Sequence, residues 1–418
     1  MFVDENSNFK TKEINKTLSK VMANTSSGVS SNNYKVRIIT NLDEMNLYGP
    51  EWNRMALEAP QQLPMLSFSW VSAYFETRVK AGERWLCVMA FDEDRLIGLL
   101  PLVERKSRKF GIPIIELSAP FDWHTVAVDF LCARGTESLC MELILNKLSL
   151  ELHGWHLIKL NRIPESSPTI FNLNSNENWI ILREYDGPGS YLPIEGEYEA
   201  YKKGLSSNTR SNMKQAQNRL SKLPDVEYSF INNSINPSAI LEEIGSIEAS
   251  GWKGKSGSAF SLSESLHDFY KKLAGNLAKE GWLEWDLLRS EGDLIAGSLT
   301  IKFNRSQIGL KIAYDEEFKR CSPGHLLAEK IIERAFNSQE ISELNLLSDS
   351  RWLASWKPCS RKYYNVRIYR RRILPFLLSY GPYIIFKKLK GSRLTRKIHE
   401  AIKKSSNGRL PGGADRSI

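Results

Sequence analysis

A strand pair with a short charged turn occurs twice in this chain, in similar surroundings, and that repetition limits the fold more than any other feature. Trp85–Phe91 and Leu96–Arg105 flank the turn Asp92–Arg95; Leu283–Arg289 and Leu294–Phe303 flank Ser290–Asp293. The first copy carries Arg95-Leu-Ile-Gly-Leu-Leu100 and the second Asp293-Leu-Ile-Ala-Gly-Ser298. Apolar runs joined by such turns read as hairpins. Helical periodicity precedes each hairpin, at Leu42–Leu57 and Pro64–Lys80 in one case, at Pro237–Ala249 and Leu262–Glu280 in the other. Strands are expected at Tyr34–Thr40 and Val226–Ile231 as well. After the first hairpin come strands at Ile114–Leu117 and Val126–Leu131, a helix at Ser138–Leu152 and a strand at Trp155–Leu160. After the second come a strand at Ile308–Tyr314, a helix at His325–Ser338 and a strand at Leu344–Leu347. Two α/β halves, each a mixed sheet flanked by helices, follow from this order.

Tyr185–Gly196 (YDGPGSYLPIEG) reads as the join. The expected division is a disordered leader at 1–33, rich in Asn, Ser, Lys and Thr, a first domain at 34–189, a second at 190–368 and a basic tail at 369–418. A chain of 418 residues with 42% hydrophobic and 10% aromatic content folds rather than staying disordered. Its five cysteines, Cys87, Cys132, Cys140, Cys321 and Cys359, form neither a CxxC pair nor an even framework, which points to a reducing, cytoplasmic setting.

The formal net charge of +9 is unevenly placed. From Arg361 onward Lys and Arg far outnumber the only acids there, Glu400 and Asp415, so the preceding chain is mildly acidic. Within the tail, the apolar run Ile373–Phe386 is bounded by cations and too short to span a bilayer. It suits peripheral contact with the anionic inner face of a membrane, or else packing on the body with its cations solvated. No nucleic-acid reading motif accompanies the charge.

Chemistry concentrates where the strand Ile308–Tyr314 runs into Ser322-Pro323-Gly324 and a helix. A helix start presents unpaired N–H groups and the positive end of the macrodipole. Lys319 and Arg320 add charge, Gly324 allows a phosphate to approach the backbone, and the N–H groups of Ser322, Gly324, His325 and Leu326 are the expected donors. Together these read as a pyrophosphate cradle. Tyr314 and Asp315 end the strand before it, where polarising or proton-accepting groups gather in α/β sheets, although a buried Tyr and a turn-forming Asp are the commoner reading. Glu248 precedes the Gly251-Trp-Lys-Gly254 loop and is a candidate base toward an ammonium acceptor, or a solvated helix end. Trp252 and Lys253 lie in that loop and are candidate substrate contacts. Arg210, with Lys214, Arg219 and Lys222, forms a basic helix face that either binds an anion or is solvated. His153-Gly-Trp-His156 has too few companions for a metal site, and Cys321 lacks a visible base.

Five segments, Ser206–Lys214, Glu248–Gly254, His267–Tyr270, Lys311–Leu327 and Asp349–Arg361 with its two tryptophans, resemble the FemAB/BioF2-like branch of the GNAT acyltransferase superfamily, the group with the CelD-type cellulose-biosynthesis proteins. The likeness is firm over about 190–365 and weaker over 34–185. The superfamily's usual phosphate loop is Arg/Gln-x-x-Gly-x-Gly/Ala; here Arg320-Cys-Ser-Pro-Gly-His has one glycine, a proline and His325, in the Ser-Pro-Gly form of this branch.

The resemblance implies tandem GNAT folds and transfer of an acyl group, acetyl above all, from acyl-CoA to an amine, without metal. It implies a small-molecule acceptor such as an amino sugar or a polysaccharide or cell-envelope precursor. Tyr363 or Tyr364 would protonate the leaving thiolate, and Trp356 would lie near substrate. The alternatives are an aminoacyl transferase using charged tRNA and a non-catalytic accessory protein of exopolysaccharide synthesis.

Overall fold

The computed structural model describes residues 34–152, 154–232 and 236–390, so the expected leader and the end of the tail lie outside it. The first half comprises β1 (Tyr34–Ile39), α1 (Gly49–Glu58), α2 (Phe68–Thr77), β2 (Arg84–Asp92), β3 (Arg95–Lys109), β4 (Ile112–Ser118), β5 (Leu131–Cys132), α3 (Glu137–Glu151), β6 (Trp155–Pro164) and β7 (Trp179–Pro193). The second comprises α4 (Tyr198–Gly204), α5 (Ser207–Leu220), β8 (Val226–Asn232), α6 (Pro237–Ser250), α7 (Glu264–Lys279), β9 (Leu283–Ser290), β10 (Asp293–Phe303), β11 (Ser306–Tyr314), α8 (Pro323–Asn337), β12 (Glu343–Asn345) and β13 (Cys359–Arg370). A helical segment ending in α9 (Gly381–Lys390) follows.

All these strands join one mixed sheet in the order β1-β2-β3-β4-β6-β13-β7-β12-β11-β10-β9-β8, with β5 beside β3. The order is the same read from either end. Three antiparallel steps lead to one parallel step, β4 to β6 or β11 to β12. The next strand then belongs to the other half: β13 lies on β6, and β7 lies on β12. The two halves have exchanged their last strands, which pair with each other antiparallel along all twelve residues of β13. Neighbouring strands in a sheet are usually neighbours in sequence; here the departure leaves each half's sheet incomplete without the other.

Both hairpins form as expected, as do the helices after them. The segment expected to be the join is mostly strand, since β7 continues through Pro193. Val126–Leu131 is largely irregular and only Leu131–Cys132 pairs, with Gly98 and Leu99. The expected helix Leu42–Leu57 breaks into Leu42–Asn46 and α1, with Pro50 at an early helix position.

Helices α2 and α7 pack across the halves, Trp70 meeting Phe269 edge-on with ring centroids 5.8 Å apart, and the Asn276 amide donates to Ser69 O at 2.9 Å. One apolar cluster therefore runs through both halves. Among the described residues no helix is long and apolar enough to cross a membrane.

At the central pair, a Cβ on Gly189 of β7 would lie 2.4 Å from Tyr363 Cε2 of β13. Gly189→Ala should therefore destabilise the protein by about 1–3 kcal/mol, read as a lower urea midpoint. Truncating the ring by Tyr363→Leu in the same chain should remove that penalty, and an unchanged midpoint for Gly189→Ala alone would contradict the packing.

Candidate active site

Strand β11 pairs with β12 only over Ser306–Ile308. Beyond that the two diverge, and Gly309–Ile312 on one side and Leu346–Asp349 on the other line a cleft of about 1480 Å³. That exceeds the several hundred Å³ of a typical small-ligand pocket. Both halves build it. Trp123, His124, Arg162 and Asp186 come from the first, and Trp252, Lys253 and Lys311 from the second.

Bulges aim several of these side chains. In β11, Leu310 is skipped in the pairing with β10 between Gly309 and Lys311, and an unpaired residue of this kind bends a strand and redirects its neighbours. Lys311 O accepts from Ser298 Oγ at 2.9 Å, while its side chain, 9% exposed, enters the cleft. In the central pair, β13 shifts register against β7 at Tyr363/Tyr364 and against β6 at Tyr364/Val366. The residues left over are Asp186 of β7 against β13, and Asn365 of β13 with Asn161 and Arg162 of β6 in the other pair. Arg162 pairs with Asp186 at 3.1 Å, and Asp186 accepts from the Asn365 amide at 2.7 Å.

The electrostatic centre is Glu248. Its side chain, at the end of α6, is buried; Lys253 Nζ lies 2.6 Å and Lys311 Nζ 3.5 Å from Oε1, and the Phe260 N–H donates to Oε2 at 2.9 Å. Burial opposes the charge, but the two ammonium groups and these hydrogen bonds outweigh it, so the carboxyl titrates below its ordinary range. Lys311 shows the reverse balance. Burial disfavours its cation more than Glu248 supports it, and its pKa falls to about 8. The ammonium sits over the faces of Tyr270 and Phe260, 5.1 and 5.4 Å from their centroids. Tyr270 OH is 2.9 Å from His124 Nδ1, which joins the halves across the cleft. Burial, then the Lys311 charge, lowers the His124 pKa to about 4, so its imidazole is neutral at pH 7.

Of the residues singled out in the sequence, Glu248 and Lys253 meet at this centre, and Trp252 lines the cleft with its backbone N–H donating to Glu316 Oε1 at 2.8 Å. Trp356, buried, lines the cleft and stacks on His325, and its Nε1 has no hydrogen-bond partner among the described residues. The others are placed differently. Arg210 turns back onto the carbonyls of Lys203 and Leu205 at the end of α4, satisfying a helix C-terminus instead of facing the cleft. Tyr364 meets Tyr185 edge-on in the central strand pair, and neither it nor Tyr363 lines the cleft. Asp315 caps the 3-10 turn Glu316–Cys321 by accepting from the Glu317 N–H at 2.9 Å, which is the turn-forming role.

The cradle is also modified. Ser322 adopts a left-handed conformation, φ 49°, and its carbonyl accepts from the His325 and Leu326 N–H groups, while its own N–H donates to Lys319 O. Three of the four expected anion donors are thus engaged in shaping the helix start. Gly324 receives the ring of Tyr314, because a Cβ there would lie 3.1 Å from Tyr314 Cδ1. Lys319 and Arg320 are exposed beside it. His153 lies outside the described residues; His156 is buried in β6, and no group of three or more His, Cys, Asp or Glu among the described residues could hold a metal ion.

Sequence reasoning missed Lys311. A lone lysine inside the run Ile308–Tyr314 was the available signal, since a buried charge requires a partner.

Residues 207–353 match the family model described as the acetyltransferase (GNAT) domain. The second half of the chain thus carries a segment similar to a GNAT domain. Its fold is similar to that of FemX, whose crystal structure superposes with a TM-score of 0.54 at 11% identity, over 82% of this chain and 99% of FemX. A protein of unknown function from Bacteroides thetaiotaomicron gives a TM-score of 0.49 at 10% identity, over 80% of this chain and 100% of that one. A tandem GNAT protein from the clavulanic acid biosynthesis pathway gives 0.39 at 9% identity, over 81% and 98%. No curated protein matches the chain by sequence. The matched GNAT residues run from α5 to the turn after β12 and include neither exchanged strand.

Replacing Gly324 by Val should press on Tyr314 and destabilise the fold. Adding Tyr314→Ala should relieve it, with a coupling of about 0.5–3 kcal/mol in a double-mutant cycle by urea denaturation. Additive effects would mean that the ring and the glycine are not in contact.

Proposed function

We propose that this protein is an N-acyltransferase that moves an acyl group, acetyl in the simplest case, from acyl-CoA to an amine. The observation that carries the reading is a lysine of lowered pKa, Lys311, held by Glu248 inside the cleft where β11 and β12 part. Acyl transfer to an amine needs a neutral nucleophile, stabilisation of charge growing on the carbonyl oxygen, and a proton for the leaving thiolate. Protonated Lys311 meets the last two needs: its ammonium can donate to the carbonyl oxygen and, as the C–S bond breaks, protonate the leaving sulfur, the surplus proton of the newly acylated nitrogen then restoring the ammonium. Glu248, titrating low, is a poor base, so its role is to hold Lys311 and Lys253 in place. His124, neutral and across the cleft, is the better candidate to orient the incoming amine. The cleft's volume and the apolar wall of Leu310, Ile312 and Leu346 suit an extended thioester arm, and the exposed Lys319 and Arg320, with the start of α8, are the candidates for its phosphates.

The acceptor reading is an amino sugar or a related polysaccharide or cell-envelope precursor. Trp123, Trp252 and Trp352 line one cleft and keep part of their surface in solvent, offering flat apolar faces on which a sugar ring can stack. The reading places the protein in the cytoplasm, where such thioesters are available.

A second donor has an observation in its favour. The engaged N–H groups of Ser322, His325 and Leu326, with exposed Lys319 and Arg320 outside them, suit phosphates lying on the surface more than a buried pyrophosphate. An aminoacyl-tRNA has that geometry, and thermal shift with acetyl-CoA against charged tRNA separates the two donors.

Acetyl-CoA turnover against a panel of amino sugars tests the main reading. Lys311→Met should lower kcat by about 10²–10⁴-fold with little change in the donor KM. In the wild type, kcat should fall as pH rises through about 8, because the proton that Lys311 supplies is lost there. An active Lys311→Met enzyme with an unchanged alkaline limb would sink the assignment.

A further inference from the structure

We infer that the face formed by the C-terminal helical segment and the tip of the β3–β4 hairpin docks on an anionic phospholipid bilayer. On the helical segment Ile373, Leu374, Phe376, Leu377, Ile385 and Phe386 are exposed, between 49% and 78% of their surface remaining accessible. The hairpin tip stands beside them, its Lys109 Nζ donating to Leu378 O at 3.2 Å.

Phe110 at that tip is 93% exposed. With Gly111 it forms a two-residue turn in which both φ angles are positive, 52° and 78°. Such turns favour Asn-Gly, and a bulky residue is ill suited to a positive φ. An aromatic ring is therefore held out in solvent at a position that disfavours it, adjoining other exposed apolar side chains. Water gains nothing from that arrangement, whereas a bilayer interface takes up aromatic rings at headgroup depth.

Charge selects the partner. Arg108 and Lys109 precede Phe110, while Arg371 and Arg372 precede the apolar run and Lys387 follows it, all of them exposed. Lys387 is paired with Glu184 at 2.8 Å, which leaves the arginines and the hairpin cations to set the sign. The sequence beyond the described residues adds Arg393, Arg396, Lys397, Lys403 and Lys404. An apolar face ringed by cations matches anionic headgroups over an acyl boundary, and each cation near such a surface strengthens attachment in a salt-dependent way. The segment is too short to span, so the contact is peripheral.

Co-sedimentation of the full chain with vesicles tests this. The protein should bind phosphatidylcholine–phosphatidylglycerol vesicles at low salt, bind phosphatidylcholine alone far more weakly, and come off the anionic vesicles as salt rises. Phe110→Asn suits the turn and so preserves the fold; it should weaken binding by about tenfold, the worth of one buried phenyl side chain. Acetyl-CoA turnover in solution should be unaffected by that change. A chain ending at residue 390 should still bind. No vesicle binding at low salt, binding untouched by Phe110→Asn, or binding lost entirely in the shortened chain would each overturn the proposal. So would a dimer in solution that Phe110→Asn dissolves while vesicles are ignored, since the face would then serve a second copy.

Discussion

The pairing of β7 with β13 is the constraint from which the rest of the structure follows. Each strand completes the other half's sheet, so the hydrogen bonds that close one half are supplied by the other. Backbone groups in a sheet interior must be paired. Separating the halves would strip β6 and β12 of a neighbour as well as splitting the central pair. The register shifts of β13 against β7 and against β6 also deliver Asp186 and Arg162, respectively, to the cleft wall. One exchange thus fixes both the union of the halves and part of their shared site.

Within that frame the chemistry depends on burial acting unequally on three neighbouring groups. It lowers the cation of Lys311 to a pKa of about 8 and the imidazole of His124 to about 4, and it fails to raise Glu248 because two ammonium groups face the carboxylate. Groups whose environments push their titration apart are what acid–base chemistry near neutrality uses. At this centre one carboxylate, Glu248, faces two ammonium groups, those of Lys253 and Lys311.

The legible parts of the sequence were those whose local signals agreed with the fold. The two hairpins carry apolar runs broken by charged turns, and α8 follows a Ser-Pro-Gly start, so they were found. The exchanged strands were not, for opposite reasons. In β7, Asp186-Gly-Pro-Gly189 is a strong turn signal, yet Asp186 is the bulged residue and the chain continues extended on both sides. In β13, charged residues such as Arg361, Lys362 and Arg367 mask the alternation; Arg361 and Arg367 are held by Glu343 and Glu184 and by stacking on Tyr191 and Tyr383. In the site, Glu248 was visible because it ends a helix before a glycine-rich loop. Lys311 was read as one residue of a buried strand, because the carboxylate that makes it tolerable lies 63 positions away. Gly324 reads from the sequence as room for a phosphate, and in the structure it faces the ring of Tyr314 of the same chain.

A crystal structure with acetyl-CoA bound tests most directly whether the cleft between β11 and β12 is where transfer occurs. The expected result is the thioester carbonyl within hydrogen-bond reach of Lys311 Nζ, with the phosphates over Lys319, Arg320 and the start of α8. A donor lying on the outer face of the sheet, or in the cleft with its carbonyl turned away from Lys311, would contradict it.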